Sequence, residues 1–238
     1  APTVANAISD ATTAEDAAYS LDISSVFADV DAGDTLTYSI SAGPSSLSIS
    51  SGTVTGTPTN DDVGANTVTI SATDGTASVT TSYVLTVTNT NDAPTITSTA
   101  DTTAEEDEAY SYTTTASDVD AGDTVTLTCT TVPSWLSCTA GALTGTPSNS
   151  DVGSHAVVIT ATDVAGATAL DSFTIVVANA NDAPTVTSTA VTTATEDSVY
   201  TYTLTASDAD TGDTLTMAGT TVPSWLTFTA STGVLTGT

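Results

Sequence analysis

Apolar residues recur at every second position in short runs along this chain, with threonine and serine between them. In VYTYTLTA, Tyr200, Tyr202, Leu204 and Ala206 fall on one face and threonines on the other. TVTISATD repeats the pattern with Val68, Ile70 and Ala72, and SYVLTVT with Tyr83, Leu85 and Val87. A period of two predicts β-strands with one buried face, because successive side chains of an extended chain point to opposite sides. Gly, Pro, Asn and Asp separate the runs, as an antiparallel sheet requires. No segment has helical periodicity. About seven such strands in each ninety residues or so predict a β-sandwich.

A longer period overlies the short one. APT occurs at Ala1, Ala93 and Ala183, and each interval keeps its landmarks in the same order, the mark of an internal repeat. A Glu-Asp pair comes first, at Glu15-Asp16, Glu106-Asp107 and Glu196-Asp197. An acid cluster follows: ADVDAGDTLT, ASDVDAGDTVT or ASDADTGDTLT. Then come GTPTNDDVG from Gly56 or GTPSNSDVG from Gly145, and ATD at Ala72 to Asp74 or Ala161 to Asp163. NxND closes the unit at Asn89 to Asp92 and Asn179 to Asp182. The predicted repeats are 1–92, 93–182 and 183–238. The third stops at GVLTGT, short of two expected strands. The expected reading is a piece cut from a longer chain, since the sequence starts without Met where an Asn-Asp linker should just have ended. The alternative is that another chain supplies the strands, as in donor-strand assembly.

Charge narrows the function. The 238 residues hold 28 Asp plus Glu, no Lys or Arg and one His, a formal charge of −28. Nothing can neutralise phosphates, which argues against a nucleic-acid binder, and the same charge opposes an anionic membrane surface. No apolar run reaches membrane-spanning length, and no signal peptide is visible. Such charge resists compaction unless inorganic cations offset it. Calcium is the natural candidate, because carboxylate and amide oxygens are its preferred ligands. The plainer reading of any single loop is that its Asp and Asn residues form Asx-turns. Ordered recurrence of four acidic motifs without a counter-cation favours calcium.

The motifs resemble a known family. ATEDSVYTYTLTASDADTGDTL resembles the cadherin pattern of a Glu before the second strand followed by Ala-x-Asp-x-Asp-x-Gly. NTNDAP and NANDAP resemble the cadherin linker Asp-x-Asn-Asp-Asn, and ATDG its Ala-x-Asp strand end. VPSWL, GTP and DVG are closer to the dystroglycan-type cadherin-like repeats of bacterial surface proteins. The resemblance implies an all-β fold of tandem seven-stranded Greek-key sandwiches, cadherin- or Ig-like, the third incomplete. It also implies calcium ions at the inter-domain junctions. Carried over by residue, the first junction would use Glu15, Asn89, Asn91, Asp92, Asp118, Asp120 and Asp163, with Asp61 or Asp62 as a less certain ligand, Asp62 being the choice. The second would use Glu106, Asp151, Asn179, Asn181, Asp182, Asp208 and Asp210. Asp29, Asp31 and Asp74 would face a preceding domain. Asp213, past Gly212, reads as a turn or capping residue. Asn89 and Asn179 stand where typical cadherins begin the linker with Asp, and fewer carboxylates should weaken binding.

The remaining features have modest readings. Cys129 and Cys138 replace the pairs Ile40 with Ile49 and Gly219 with Phe228, so the two sites change together across a short gap. A disulfide in an oxidising compartment is expected, with two buried thiols as the alternative. His155 reads as a solvated strand-end residue. Trp135 and Trp225, aligned with Ser46, should point away from the main core, as partly covered packing residues or as sugar-stacking platforms. No catalytic arrangement recurs, and no N-glycosylation sequon is present, while the abundant Thr leaves O-glycosylation open. The expected function is a calcium-rigidified repeat region of an extracellular microbial surface adhesin or filament, structural and adhesive, not an enzyme. Its expected partners are Ca2+, neighbouring repeats or further copies, and cell-surface glycans or proteins. The alternatives are a carbohydrate-binding or accessory module of a secreted protein, and a self-assembling filament subunit completed by strands from a neighbour.

Overall fold

The alternating runs become strands that pair into small sheets. The computed structural model describes residues 1–31 and 33–238, so Ala32 in the first acid cluster lies outside the described residues. The chain forms two compact units. One holds Ala1–Thr95 with Ala116–Thr126 and Ala161–Ala169; the other holds Ile96–Thr115, Leu127–Thr160 and Leu170–Thr238.

In the first unit a four-stranded sheet runs Ala11–Ala14, Ser78–Thr88, Gly64–Thr73, Thr37–Ala42 in spatial order. Ala11–Ala14 lies parallel to Ser78–Thr88, with Ala11 opposite Leu85, and the other pairings are antiparallel. A three-stranded sheet runs Tyr19–Asp22, Thr53–Gly56, Leu47–Ser50. Side chains of both sheets meet in one core: Val68, Ile70, Ala72, Tyr83, Leu85 and Val87 from the first, Tyr19, Leu47 and Val54 from the second. The six from the larger sheet are the positions the period of two selected. At about 25 cal/mol per Å² of apolar area removed from water, such burial is the main stabilising term of each sandwich.

The second repeat follows the same plan. Thr103–Glu105, Thr168–Ala178, Gly153–Thr162 and Thr126–Thr131 form the larger sheet, and Tyr110–Thr113, Ala142–Gly145 and Leu136–Thr139 the smaller. A further three-stranded sheet of Tyr200–Thr203, Val234–Gly237 and Leu226–Thr229 follows. Among the described residues the only helical segments are the single 3-10 turns Asn60–Asp62 and Asn149–Asp151.

Several expectations change here. VYTYTLTA is not one strand: Tyr200–Thr203 joins the three-stranded sheet, while Ala206–Ser207 pairs with Thr185–Val186. The break lies at Leu204 and Thr205, whose N–H groups go to the Gly233 carbonyl and to Ser188 Oγ. Alternation survives the change of partner because the chain stays extended. Trp135 does not turn away from the core. It packs on the core margin, with its ring edge-on to Tyr110 at 5.9 Å and to His155 at 6.0 Å. His155 is half-buried inside Gly153–Thr162, not solvated at a strand end, and its Nε2 donates to the Asp151 carbonyl at 2.6 Å. Trp225 is 45% exposed and edge-on to Tyr200.

The structure joins Cys129 to Cys138, with Cα atoms 6.4 Å apart. Their strands are the outer members of the two facing sheets, so the bond staples one sheet to the other.

Candidate metal centres

The Glu-Asp pairs show how the local fold aims a carboxylate. Glu15 N–H bonds to the Thr88 carbonyl, and Asp16 then turns left-handed at φ 56° so that its N–H meets the Pro58 carbonyl. Glu106 and Asp107 repeat this with Ala178 and Pro147, Asp107 at φ 61°. Aspartate tolerates that backbone region better than most residues. This explains why an Asp follows each Glu and why the GTP phrase recurs. Each Glu is then driven inward, to 2% and 1% exposure respectively. Glu15 Oε1 accepts from Thr90 N–H at 2.7 Å, and Glu106 Oε1 from Ala180 N–H at 2.7 Å.

In the first unit, carboxylate oxygens of Glu15, Asp92 and Asp120 lie within 4.8 Å of one another, as do those of Asp118, Asp123 and Asp163. Asp120 Oδ2 accepts from Asp92 N–H at 2.8 Å and Oδ1 from Asn60 Nδ2 at 3.0 Å. Asp163 Oδ2 accepts from Asn91 Nδ2 at 2.8 Å and Oδ1 from the amides of Gly166 and Ala167. Those donors, Asn91 first, hold the Asp163 carboxyl below its ordinary value. Asp123 shifts upward, because partial burial and the charges of Asp118, Asp120 and Asp163 all oppose its ionisation.

In the second unit the groups are Glu106 with Asp182 and Asp210, and Asp208 with Asp210 and Asp213, so Asp210 serves both. Asp210 Oδ2 accepts from Asp182 N–H at 2.7 Å, and Oδ1 from Asn149 and Asn179, each at 3.1 Å. A third group, Asp29 with Asp34 and Asp74, sits beside the α-amino group of Ala1, which donates to Asp31 at 2.9 Å and Asp29 at 3.3 Å. The Asp31 carboxylate is the largest reason that this amine's pKa rises to about 10.

Most of the sequence-derived residues converge. Glu15, Asp92, Asp118, Asp120, Asp163, Glu106, Asp182, Asp208 and Asp210 all enter these groups, and Asn91 and Asn179 donate into them. Asn89 is exposed, and Asn181 donates to the Asp182 carbonyl at 2.7 Å. Asp62 and Asp151 go elsewhere. Asp62 Oδ2 accepts from Thr59 N–H at 3.0 Å and Ser46 Oγ at 2.7 Å, and Asp151 Oδ2 from Ser148 N–H at 2.9 Å and Ser148 Oγ at 2.7 Å. Both are capping-box carboxylates that close their 3-10 turns. The group facing the acids is instead the first residue of each turn, Asn60 or Asn149. Residue order does not make that choice, since the Asn and the last Asp both recur between the two turns while only Asp61 becomes Ser150. Asp123 and Asp213 were missed as group members, although Gly-Asp recurs in all three clusters.

A cation fits this donor set. Glu15 Oε2, Glu106 Oε2, Asp29 Oδ2 and Asp118 Oδ2 are buried and accept no hydrogen bond. Leaving a buried carboxylate oxygen unsatisfied is costly, and the sequence has no Lys or Arg to pair with it. An all-oxygen set of carboxylates and amides suits a hard divalent ion of flexible coordination number, calcium before magnesium.

Two facing sheets closed around one core, with acid groups at strand ends, define an Ig-like sandwich of the cadherin kind. Residues 1–88, 93–178 and 183–238 match the family described as "Putative Ig domain", and the chain belongs to that family. Over 137 residues, 56% of this chain, it is 34% identical to "Serine-rich adhesin for platelets" of Staphylococcus aureus strain MRSA252, of which the match covers 10%. The chain thus spans a tenth or less of the curated relatives it matches. Among solved structures, Protocadherin Gamma B2 extracellular cadherin domains 3-6 align with TM-score 0.52 and 17% identity, covering 100% of this chain and 64% of that one. Human CDH23 EC21-23 aligns with TM-score 0.52 and 18% identity, covering 95% and 86%. At these identities the likeness establishes the fold. No helix among the described residues is long and apolar enough to cross a membrane.

Proposed function

We propose that this chain is a calcium-rigidified stretch of tandem Ig-like repeats, spanning 1–92, 93–182 and 183–238, in an extracellular surface adhesin or filament. Its role is structural and adhesive, not catalytic. The observation that carries the reading is the pair Glu15 and Glu106, each buried with one carboxylate oxygen unsatisfied in a chain without Lys or Arg. Family membership and the adhesin relative support the extracellular setting, and an oxidising compartment suits the Cys129–Cys138 bond.

Glu15, Asp92 and Asp120, with Asp118, Asp123 and Asp163, would hold ions in the first centre; Glu106, Asp182, Asp208, Asp210 and Asp213 would do so in the second. A bound ion supplies the positive charge these carboxylates lack. The chain supplies the geometry: Glu15 anchors on Thr90 N–H and Asp120 on Asp92 N–H, so strand end, linker and acid loop converge. Joining them fixes the linker's direction, which is how a string of sandwiches transmits force without folding back on itself. The unfolded chain has no assembled centre, so binding also stabilises the fold, by about 2.7 kcal/mol per site when the free ion is a hundredfold above Kd.

Calorimetry and small-angle scattering with and without millimolar calcium test this reading. The expected result is a higher melting temperature and a narrower distribution of particle lengths with calcium than in chelator. Identical melting and scattering in both would overturn it.

A further inference from the structure

Beside backbone N–H groups, the side-chain donors to the acid groups are asparagines, where other proteins use lysine or arginine. Asn60 donates from Nδ2 to Asp120, and Asn91 to Asp163. Asn149 and Asn179 both donate to Asp210, and Asn149 also reaches Asp182 Oδ2 at 3.4 Å. A side-chain amide carries two N–H donors and a carbonyl acceptor on one terminal torsion. That torsion is broad and roughly two-fold, so half a turn exchanges donor for acceptor.

We propose that Asn60, Asn91, Asn149 and Asn179 are reversible latches. They donate N–H to the carboxylates when no cation is present and turn Oδ1 inward when a hard divalent cation is held. The inference rests on the calcium reading above. Its independent support is that Glu15 Oε2 and Glu106 Oε2, nine-tenths buried or more, remain unpartnered within the groups that Asn60, Asn149 and Asn179 serve, as does the buried Asp118 Oδ2 in the group that Asn91 serves. The amides quiet some of the carboxylate oxygens and leave those for a cation.

The turns are built to aim the amide. Asp62 and Asp151 spend their carboxylates on Thr59 and Ser148 and so fix the 3-10 turns whose first residues are Asn60 and Asn149. An Asp at the latch position would add a ligand charge but also a further repulsion in the emptied centre. Asn therefore sacrifices affinity and keeps the ion-free centre assembled, which suits a joint that must rebind after calcium is withdrawn.

The test uses the full 238-residue chain with paired substitutions, Asn60→Asp with Asn149→Asp and Asn60→Leu with Asn149→Leu. Melting in chelator and calcium titration calorimetry are the readouts. The Asp pair should melt roughly 2–4 °C lower in chelator and bind calcium about tenfold more tightly, because affinity follows ligand charge. The Leu pair should lose in both measurements. Asn179→Asp, at an exposed linker position, repeats the comparison where the turn variants fail to fold. An Asp pair that loses stability without gaining affinity marks static structural asparagines and overturns the latch. Absence of calcium binding by the unmodified chain overturns the calcium reading itself, a separate outcome. In side-chain amide NMR spectra, calcium should shift all four NH2 pairs; unshifted pairs in a chain that binds calcium would also refute the proposal.

Discussion

The first and second repeats share turns, alternation and acid motifs, yet they close their sandwiches differently. In the first, Ile40 and Ile49 pack against the core from the outer strands, and Ser46 binds the capping carboxylate of Asp62. In the second, Cys129 and Cys138 bridge the sheets, and Trp135 takes the Ser46 position with His155 against its ring. The centres differ as well: six separate carboxylates form the two groups of the first centre, Glu15 with Asp92 and Asp120 and Asp118 with Asp123 and Asp163, whereas Asp210 is shared by both groups of the second. One backbone plan therefore accepts either apolar packing or a covalent staple at its open side. The number of carboxylates that converge differs between two centres built on the same sandwich plan.

The largest expected effect comes from breaking the shared residue. Asp210→Ala should remove both acid groups of the second centre, while Asp120→Ala removes one group of the first and leaves Asp118, Asp123 and Asp163. Calcium stoichiometry by titration calorimetry checks this, and equal losses in the two variants would count against the grouping. Next is the staple. Replacing both cysteines with alanine opens a loop of separation 9 and should cost about 3 kcal/mol. Installing the first repeat's isoleucines at both positions should recover part of that loss through apolar packing, read by chemical denaturation.

Trp135→Ser, the first repeat's residue, should cost roughly 2–3 kcal/mol, less than a fully buried aromatic because Trp135 sits at the core margin. It should also leave His155 without its ring partner, seen as a change in the His155 NMR shift. The smallest effect concerns acid titration in chelator. Asp22 and Asp101 are held below the ordinary aspartate range, chiefly by the backbone N–H groups of Ser24 and Thr103. Their stabilisation is fully present above an unfolded pKa of about 3.9 and is lost as pH falls through the depressed native value. Asp101→Asn should make the melting temperature of the second repeat less sensitive to pH over that acidic window. An unchanged slope would show that Thr103 contributes nothing through this carboxylate.

Much of this was legible in the sequence because its physics is local. Side-chain alternation selected Val68, Ile70, Ala72, Tyr83, Leu85 and Val87 for the core, and recurrence picked out Glu15, Glu106 and the Asp-x-Asp clusters without any coordinates. The errors arose where local signals had two uses. Asp62 and Asp151 looked like ligands because an Asp in a turn is chemically the same whether it faces a cation or caps its own turn. Asp213 looked like a turn residue and is one, since its N–H reaches the Asp210 carbonyl at 3.4 Å, but its carboxylate also joins Asp208 and Asp210.

By itself the sequence determined the alternating runs, the repeat and the uncompensated charge, since period, spacing and composition follow from the order of residues. Only the tertiary structure decided which oxygens converge. Glu15 and Asp120 are far apart along the chain; the pairing of Ala11–Ala14 with Ser78–Thr88 sets Glu15 against the linker, and the linker's Asp92 N–H holds Asp120 there. The choice of Asn60 over Asp62 depends on a turn's handedness and cap, a three-dimensional fact that residue order constrains but does not spell out.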